Sequence, residues 1–412
     1  MRRDTWLVAA LVLFGTNLPA RGEPAPRDPA DWPTYNHGAT GWRFNAAEKH
    51  LGPGNVGGLV EKWRFPPEGA REKIGAVHMT PAVVNGHVYF GTATDPTFYK
   101  LTPSGKLKWK YRNTTPEGKT SRSFLGIPSA AAFLGSPLVT ADSVYFGDIG
   151  GFVYCLDRFT GKERWKLNTR AEPFPGAHGS NCVFSSPVLA DGKVIVAGGA
   201  WEHDDATKPG YECCRGRGFV IALEPATGKL FWKYDVGPEP ERFDPPLKIS
   251  DDWGEHVFHF GPSTSSVWCT PSYDAATRTL YFGTDVHNSP RRPTKEDPRR
   301  YTPHSAAVVA LDARTGEERW VTQVNPGDVW NYAMRAYDPK TGLYKDQSIG
   351  DTPKIYTIPG DAGPQKVVGC GCKNGGFYVF DAADGKLLAQ TPVYKGPPAE
   401  ASELKLDPRT LA

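Results

Sequence analysis

One phrase recurs along the chain with fixed internal spacing. The segments ALDARTGEERW, CLDRFTGKERW and ALEPATGKLFW end at Trp320, Trp165 and Trp232, and the weaker copies KLTPSGKLKW and VFDAADGKLLA end at Trp109 and Ala389. A Gly precedes each Trp by four residues, and Ala389 takes the Trp place in the last copy. A unit that repeats in this way cannot bury its apolar faces alone and must stack on its neighbours. The repeat therefore predicts an array of similar units.

Each copy of the phrase follows short stretches that are rich in β-branched and aromatic residues. Asn-Gly, Asp-Gly or similar turns separate these stretches, as in TPAVVNGHVYFGTA at positions 80–93, and such turns favour hairpins. The stretches give four strands in every unit, which is the arrangement of a β-propeller blade. Gly and Pro contribute 45 and 38 of the 412 residues, which favours turns over long helices. We therefore predict an all-β propeller with about five four-stranded blades across residues 60–392.

The fixed spacing of the phrase has a physical explanation. The Gly allows a tight or left-handed turn before the outer strand, and the Trp on that strand can pack flat against the neighbouring blade. The stretch VEKWRF at 60–65 predicts one more outer strand, of the kind that completes the last blade and closes a propeller. Because no further strand pattern follows Ala389, we expect residues 393–412 to form an extension without a blade.

The N-terminus has the features of an export signal. A basic MRRD precedes the apolar WLVAALVLFG, which is short for a membrane span, and small residues follow, with cleavage expected after Gly22. Residues 1–22 are thus predicted to be a signal peptide, with an uncleaved anchor as the alternative. The mature chain begins with a leading segment at 23–59. We expect it in the periplasm or outside the cell, without a membrane span.

The net charge and the cysteine spacing argue against nucleic-acid binding, a zinc site and an attached haem. The formal net charge is +3, which gives no electrostatic case for binding nucleic acid. The seven cysteines match neither a zinc site nor a haem attachment motif. Cys213 and Cys214 are adjacent and could close a vicinal disulfide in an oxidising compartment.

The repeated phrases resemble the Trp-docking repeat of the quinoprotein alcohol dehydrogenases. That family holds pyrroloquinoline quinone (PQQ) on the axis of an eight-bladed propeller. The resemblance runs from Asp31 to the C-terminus and includes DWPTYNHGATGWRFN and VGGLVEKWRF. The segments ECCRGRGFVIALEPATGK and NPGDVWN are most similar to the polyvinyl-alcohol dehydrogenase branch. Against a pattern of eight blades, five blades imply a C-terminally truncated chain, and a second chain could supply the others.

The resemblance implies an exported enzyme that oxidises an alcohol, polymeric or secondary, with PQQ and Ca²⁺. Hydride would pass to the quinone, and electrons would leave singly to a separate cytochrome c. The alternative is a non-catalytic propeller that uses the repeat only as a binding scaffold. Ala389 in the Trp place, the small number of blades and Asn331 favour that alternative. The joint presence of Glu202, Trp268 and Lys373 at matching places opposes it.

The resemblance also implies which residues would hold the cofactor. A flat tricarboxylate with a reactive quinone needs an aromatic floor, cations and a polarising metal. Trp268 in SSVWCTPSYD takes the place of the floor, and Lys373 in CGCKNGGFYVFD that of the cation beside the quinone oxygens. Ser185 could hydrogen-bond the PQQ carboxylates. The structural alternatives are packing between blades for Trp268, a water-exposed hairpin for Lys373 and a strand end for Ser185.

For the metal, the resemblance implies oxygen ligands, which suit Ca²⁺. Glu202 in VIVAGGAWEHDD matches the family's metal-binding Glu, and Asn288 in FGTDVHNSP matches its Asn, with Asp285 as the rival. An exposed acidic loop and a turn-forming Asn are the structural alternatives. Cys213 and Cys214 are expected either to touch the cofactor or to form a purely structural pair.

The catalytic base departs from the family pattern. Where the family carries an Asp in a Trp-Asp-Tyr type of segment, this chain has Asn331 in GDVWNYAMRAYD, and an amide is not a useful proton acceptor. Asp328 is the predicted substitute, and Asp346 is a further candidate. Ala333 stands where lanthanide-using relatives carry a second Asp, which again favours Ca²⁺.

A PQQ site would require side chains from different blades to meet. Glu202, Trp268, Asn288 and Lys373 should then converge near the propeller axis, with Asp328 facing the same cavity. In a scaffold without cofactor, Glu202 and Lys373 would instead point outward to solvent on opposite sides.

Overall fold

The chain folds almost entirely into β-structure in a computed structural model. The structure describes Asp28 and residues 31–113 and 132–393, except for breaks at 204, 209, 252–253, 265, 289–301, 327, 331–336, 339–342, 345 and 361–362, together with short strands at 123–124 and 127–128. Five four-stranded antiparallel meanders follow one another along the chain, which confirms the predicted propeller type. The predicted signal peptide lies outside the described residues, as does the C-terminal extension beyond Val393.

The five blades have these strands, given in chain order. Blade 1 comprises Ala82–Val84, His87–Gly91, Thr97–Leu101 and Leu107–Arg112. Blade 2 comprises Leu138–Val139, Ser143–Gly147, Phe152–Asp157 and Glu163–Asn168. Blade 3 comprises Val188–Ala190, Lys193–Ala200, Gly218–Leu223 and Leu230–Asp235. Blade 4 comprises Ser272–Asp274, Thr279–Gly283, Ala307–Asp312 and Glu318–Gln323. Blade 5 comprises Lys354–Gly360, Gly363–Gly371, Gly376–Asp381 and Leu387–Pro392.

Further short elements lie before and between the blade strands. Asn181–Cys182 adds a fifth strand to blade 3, and His287–Asn288 pairs in parallel with Val329–Trp330. Three hairpins are inserted, namely Ser123–Phe124 with Ile127–Pro128, Glu241–Asp251 with Gly254–Gly261, and Tyr337–Asp338 with Leu343–Tyr344. Two 3-10 turns, Val56–Gly58 and Asp205–Thr207, are also present. Within the described ranges, no helix has both the length and the apolar character needed to cross a membrane.

The repeated Trp of one blade packs on the repeated Gly of the next blade. Trp109 of blade 1 lies against Gly161 of blade 2, so that an added Cβ at Gly161 would sit 2.7 Å from two ring carbons. Its indole Nε1 donates to the carbonyl of Arg158, three residues before that Gly, at 3.2 Å. The same pair of contacts joins every successive pair of blades, through Trp165 and Gly228, Trp232 and Gly316, and Trp320 and Gly385.

The prediction of an outer strand at 60–65 is wrong, because the structure has no strand there. Trp63 from this stretch nevertheless makes the docking contact. Its ring packs on Gly105 of blade 1, and its Nε1 donates to the Pro103 carbonyl at 3.1 Å. In the described chain, this segment has no neighbouring strand to pair with. It therefore keeps the side-chain contact of Trp63 but lacks the backbone hydrogen bonds between strands that define a β-strand.

The leading segment crosses the first strands of all five blades in order. Within residues 32–40, backbone or hydroxyl groups bond to each first strand or to the residue just before it. Each first strand is the edge of its sheet, and an edge exposes unpaired backbone groups. The segment therefore covers these edges and ties blade 1 to blade 5. The five bonded pairs are Trp32 with Val83, Pro33 with Val139, Thr34 with Pro187, Ala39 with Tyr273, and Thr40 with Ile355.

Replacing Gly161 by Ala should destabilise the fold more than replacing Gly192. Both glycines have the left-handed backbone, with φ of +73° and +72°, which costs roughly 1–2 kcal/mol for a residue with a Cβ. Gly192 has open space around it, whereas a Cβ at Gly161 meets the Trp109 ring, and overpacking costs about 1–3 kcal/mol more. Denaturant unfolding of G161A and G192A measures the difference, and equal losses would show that the docking contact contributes nothing.

Candidate functional site

A cavity of about 480 Å³ lies where the five blades meet. Residues just before the first strand of every blade contribute to its wall, as do residues just after the second strands of blades 3, 4 and 5. Tyr35 of the leading segment also reaches it. Two positions of the blade, one before its first strand and one after its second strand, thus face the same space in several blades. This space is therefore the axis of the array. Its volume is in the range of small-molecule sites.

A belt of Ser and Thr residues on the cavity wall joins blades 1 to 4. Each first strand is preceded by Ser-Pro or Thr-Pro. The backbone nitrogen of Thr80 donates to the Ser136 hydroxyl at 2.9 Å, that of Ser136 to Ser186 at 2.9 Å, and that of Ser186 to Thr270 at 3.2 Å. Because the belt fixes the spacing between blades at the axis, it also fixes the width of the cavity.

Trp268 and Lys373 face each other inside the cavity. Trp268 precedes blade 4, and Lys373 follows the second strand of blade 5. The Lys373 Nζ lies 5.0 Å from the centre of the Trp268 ring, which is a cation–π contact. The indole edge packs against Gly350, where a Cβ would lie 2.0 Å from the ring. The site thus has an aromatic surface beside a positive charge.

Two carboxylates share this cavity with Lys373. Both oxygens of Asp346 lie 2.9 Å from the Lys373 Nζ. Burial, together with the negative charge of Asp285, raises the pKa of Asp346 to about 6, although Lys373 acts in the opposite direction. Asp285 lies with its Oδ2 3.6 Å from the Nε2 of His203. Burial opposes ionisation of Asp285, but His203 and Lys373 outweigh it and lower its pKa.

Asp328 is placed behind the wall of the cavity rather than on it. Its buried carboxylate accepts hydrogen bonds from the backbone nitrogens of Asp346, at 3.2 Å, and Gln347, at 2.5 Å. Asp346, and not Asp328, presents its side chain to the cavity. The expectation that Asp328 faces the cavity therefore does not match the geometry, because its oxygens hold the neighbouring loop. Asn331 and Ala333 lie outside the described residues.

Glu202 and Asn288 lie together in a buried pocket next to the cavity. The Ser263 hydroxyl bridges them, at 3.5 Å from the Glu202 Oε2 and 3.3 Å from the Asn288 Nδ2. Pairing of His287–Asn288 with Val329–Trp330 brings Asn288 beside the Trp330 strand. Neither Glu202 nor Asn288 points outward to solvent, since both are almost fully buried.

The oxygen atoms of this pocket suit a hard cation. The Asn288 Nδ2 lies within 3.3 Å of three acceptors, but its buried Oδ1 has no hydrogen-bond partner within the described part of the chain. A buried acceptor without a donor calls for an explanation, and an amide oxygen is a Ca²⁺ ligand. The Glu202 carboxylate accepts from the Tyr211 hydroxyl and the Gly216 nitrogen, both at 2.6 Å, and more weakly from the Arg215 nitrogen at 3.3 Å and the Ser263 hydroxyl at 3.5 Å.

Among the described residues, no three acidic, His or Cys side chains are grouped so that they alone could hold a metal ion. A cation in this pocket would therefore depend on amide and hydroxyl oxygens, such as those of Asn288 and Ser263, in addition to Glu202. Asp285, the rival candidate, lies in the cavity as the partner of His203.

The remaining predicted residues lie away from the cavity wall. The Ser185 hydroxyl bonds the backbone oxygen and nitrogen of Ala197, at 2.6 and 3.1 Å, whereas its neighbour Ser186 lines the cavity. Cys213 and Cys214 form a disulfide and are buried outside the cavity lining. The Cys213 carbonyl accepts a hydrogen bond from His259, so the pair connects blade 3 to the inserted hairpin at 241–261.

Sequence reasoning missed several aromatic residues of the site. Trp201, Trp330, Phe184 and His203 all line the cavity. The His203 Nδ1 bonds the Trp330 carbonyl at 2.8 Å, and the Trp201 and His203 ring centres are 5.0 Å apart. A signal was available, because Trp201 and Trp330 stand outside the Gly-x-x-x-Trp register, as Trp268 does.

Comparison with known proteins gives consistent similarities. The family described as PQQ glucose/ethanol/alcohol dehydrogenase, β-propeller domain, matches residues 32–403. A polyvinylalcohol dehydrogenase of Sphingopyxis sp. is 32% identical over 338 residues, covering 79% of this chain and 45% of the relative. The dehydrogenase subunit of a quinone alcohol dehydrogenase from Gluconobacter oxydans is 27% identical over 375 residues, covering 88% and 45%. The chain thus spans about half the length of the curated relatives it matches.

The structural comparison supports the fold. The crystal structure of quinohemoprotein alcohol dehydrogenase from Comamonas testosteroni superimposes with a TM-score of 0.64 at 24% sequence identity, covering 88% of this chain and 49% of that one. A europium-containing methanol dehydrogenase gives a TM-score of 0.62 at 19% identity, covering 89% and 58%.

The burial of Glu202 predicts that Tyr211→Phe is more destabilising than Tyr111→Phe. Both Tyr hydroxyls donate to a Glu oxygen at 2.6 Å, but Glu202 is buried whereas Glu163, the partner of Tyr111, is exposed. Loss of a hydrogen bond to a buried charge costs about 1.5–3 kcal/mol, while water can replace the bond at Glu163. Denaturant unfolding of both variants measures this difference, and equal values would contradict the buried position of Glu202.

Proposed function

Because the chain belongs to the PQQ family of glucose/ethanol/alcohol dehydrogenase β-propellers, we propose that it binds PQQ in the axial cavity and takes part in oxidising an alcohol. The observation that carries this proposal is the meeting of Trp268 and Lys373, from different blades, across one cavity. An ordinary packed core gives no reason for a Lys ammonium and an open indole face to line a space of this size. A flat anionic cofactor explains both.

The side chains divide into an aromatic surface and a charged wall. Trp268 offers a ring face on which a planar tricycle can stack. Lys373 supplies the positive charge that stabilises negative charge on a reduced quinone. PQQ, when bound, provides the two-electron acceptor that takes hydride from the alcohol carbon. The hydroxyls of Ser136, Ser186 and Thr270 lie on the same lining and are available to the carboxylates of the cofactor.

Ca²⁺ is the metal that this donor set favours. Asn288 offers an amide oxygen that has no hydrogen-bond partner among the described residues, Glu202 a buried carboxylate and Ser263 a hydroxyl between them. All are hard oxygen donors, which suit Ca²⁺ better than a soft metal. In this proposal the pocket behind the cavity wall holds the ion, and Asp285 remains the partner of His203.

The proposed location, substrate and electron acceptor of the protein are supported by its N-terminal sequence and by its relatives. The N-terminal basic and apolar pattern of residues 1–22 supports export to the periplasm or beyond. A relative that acts on polyvinyl alcohol supports a polymeric or secondary alcohol as substrate. Relatives named as quinohemoproteins support a cytochrome c as the electron acceptor.

A binding scaffold without cofactor is the second candidate function. The Glu202 carboxylate already accepts hydrogen bonds from Tyr211 and Gly216, so its charge is satisfied within the protein. A propeller that had lost its metal could keep Glu202 for this structural purpose. Binding of the cofactor distinguishes the two functions.

The cavity should hold PQQ through Trp268 and Lys373. Purified protein mixed with PQQ and Ca²⁺ is expected to retain quinone absorbance after desalting. Lys373→Ala should raise the Kd for PQQ about tenfold to a hundredfold, since a charge-assisted contact contributes about 1.5–3 kcal/mol. Trp268→Ala should weaken binding similarly, because an aromatic stacking partner is lost. Lys386→Ala, an exposed change in the same blade, is the control. Absence of quinone from the wild-type protein would favour the scaffold.

Ca²⁺ should stabilise the protein through Asn288. A ligand at a hundred times its Kd adds about 2.7 kcal/mol to the folded state, so the thermal midpoint should rise with Ca²⁺ and fall again with chelator. Asn288→Leu keeps the side-chain size and removes the unpaired oxygen, and it should abolish the rise. The idea of an ion here fails if the wild-type midpoint does not respond, or if Asn288→Leu responds equally.

A further inference from the structure

A second cavity, of about 330 Å³, lies beside blade 3 and away from the axial cavity. Its wall is formed by the loop at 176–181, by the third and fourth strands of blade 3 and the residues next to them, and by the inserted hairpin at 241–261. None of the described residues lines both cavities. We call this space the side cavity, and its volume is at the lower end of the range of small-molecule sites.

The ammonium group of Lys233 lines the side cavity with most of its hydrogen-bonding capacity unused. Its side chain is only 8% exposed. An ammonium has three donors, but within the described part of the chain Lys233 donates only to Asp235. Gly176 keeps the space beside the ammonium open, because a Cβ there would lie 3.0 Å from the Lys233 Nζ. Since buried donors require acceptors, Lys233 points to an acceptor on a ligand in the side cavity.

Positive charge is in excess on the wall of the side cavity. Three of its side chains are cationic and two are anionic, namely Arg215, Arg217 and Lys233 against Asp235 and Glu239. Arg217 and Lys233 share the carboxylate of Asp235, with the Arg217 Nη2 3.4 Å from the Asp235 Oδ2. Burial lowers the pKa of Lys233, although Asp235 acts in the opposite direction. A further anion in the cavity would therefore stabilise the charged form of Lys233.

Two aromatic rings give the side cavity an apolar surface next to these cations. The Arg215 guanidinium lies 6.0 Å from the centre of the Phe260 ring, and the Lys233 Nζ lies 6.0 Å from the centre of the Phe219 ring. Both rings belong to the wall. Each ring thus lies beside a cation, and this arrangement suits a molecule in which an anionic group is joined to an apolar body.

We propose that the side cavity binds a small organic monocarboxylate, with its carboxylate on Lys233 and Arg215 and its apolar body against Phe219 and Phe260. A carboxylate is a pure acceptor with two oxygens, and a guanidinium can donate to it through two parallel hydrogen bonds. The single excess positive charge matches a monoanion. Inorganic phosphate carries more negative charge at neutral pH and has no apolar part. The site does not depend on PQQ or on the axial cavity.

Calorimetric titration of the full chain without PQQ tests the class of ligand. The probes are benzoate, its neutral analogue benzamide, and inorganic phosphate. Benzoate should bind saturably and at least about tenfold more tightly than benzamide, because a hydrogen bond to a charged group is stronger than one between neutral groups. It should also bind more tightly than phosphate. Absence of saturable benzoate binding, equal binding of benzamide, or tighter binding of phosphate would each overturn the proposal.

Arg215→Gln tests the position of the carboxylate. Arg215 is exposed and pairs with no carboxylate among the described residues, so the fold should persist, whereas the Kd for benzoate should rise about tenfold. Arg242→Gln is the matched control, because Arg242 is exposed and lies 5.2 Å from the centre of the same Phe260 ring but is not part of the wall. It should leave the Kd unchanged. Equal Kd values for the two variants would contradict the proposed contact.

Lys233→Met tests the buried donor. It keeps the length of the side chain and removes the ammonium, while Arg217 remains as the partner of Asp235. The Kd for benzoate should rise at least about tenfold, with circular dichroism to show that the variant is folded. A folded variant that binds benzoate as tightly as the wild type would overturn the role of Lys233. If this variant does not fold, Arg215→Gln still decides the proposal.

Lys373→Ala separates the side cavity from the axial cavity, where Lys373 is a second possible partner for an anion. Benzoate binding that survives Lys373→Ala but is weakened by Arg215→Gln supports the side cavity. Benzoate binding that is lost in Lys373→Ala and unchanged in Arg215→Gln would place the ligand in the axial cavity and overturn the inference.

Discussion

The contact between an indole ring and a left-handed glycine organises this molecule. A Cβ at Gly161, Gly228, Gly316 or Gly385 would overlap the Trp ring of the preceding blade, so each turn can take no other residue without moving its neighbour. The indole nitrogen adds a directional bond to a carbonyl three residues earlier. Orientation and distance between blades are thus specified at the outer strands, far from the axis. The inner ends of the blades must then meet around a common space, which is the cavity.

Much of the fold could be predicted from the sequence because its determinants are local. The Gly and Trp stand four residues apart, and the turns that separate the strands are two-residue motifs. The stretch around Trp63 shows the limit of this reasoning. Its side chain carries the docking signal, but a strand also needs a neighbouring backbone, and that condition cannot be seen in a short sequence pattern.

The cavity was harder to predict because its shape depends on several blades at once. The resemblance pointed to Trp268 and Lys373, and the structure places both on the wall. It also pointed to Asp328 and Ser185, whose oxygens bond the backbones of Gln347 and Ala197 instead. In both cases a nearby residue, Asp346 or Ser186, reaches the cavity. For Ser185, one position of error is enough to turn a side chain from the cavity to the sheet behind it. Asp346 stands 18 residues after Asp328, and a short sequence pattern does not show how the chain between them folds back. The ligand and base roles themselves stay predictions.

The leading segment has a consequence for how the protein unfolds. In a linear array whose units touch only their neighbours, each unit can melt almost independently, and the ends fray first. Here residues 32–40 bond to the first strand of every blade or to the residue just before it, so blade 1 and blade 5 are coupled although they are far apart in sequence. Unfolding of any one blade would release part of the leading segment and so weaken its hydrogen bonds to the other blades. The leading segment thus converts a chain of nearest-neighbour contacts into a cooperative unit. Such coupling is also slow to form, because its most distant partners, Thr40 and Ile355, are more than three hundred residues apart in sequence.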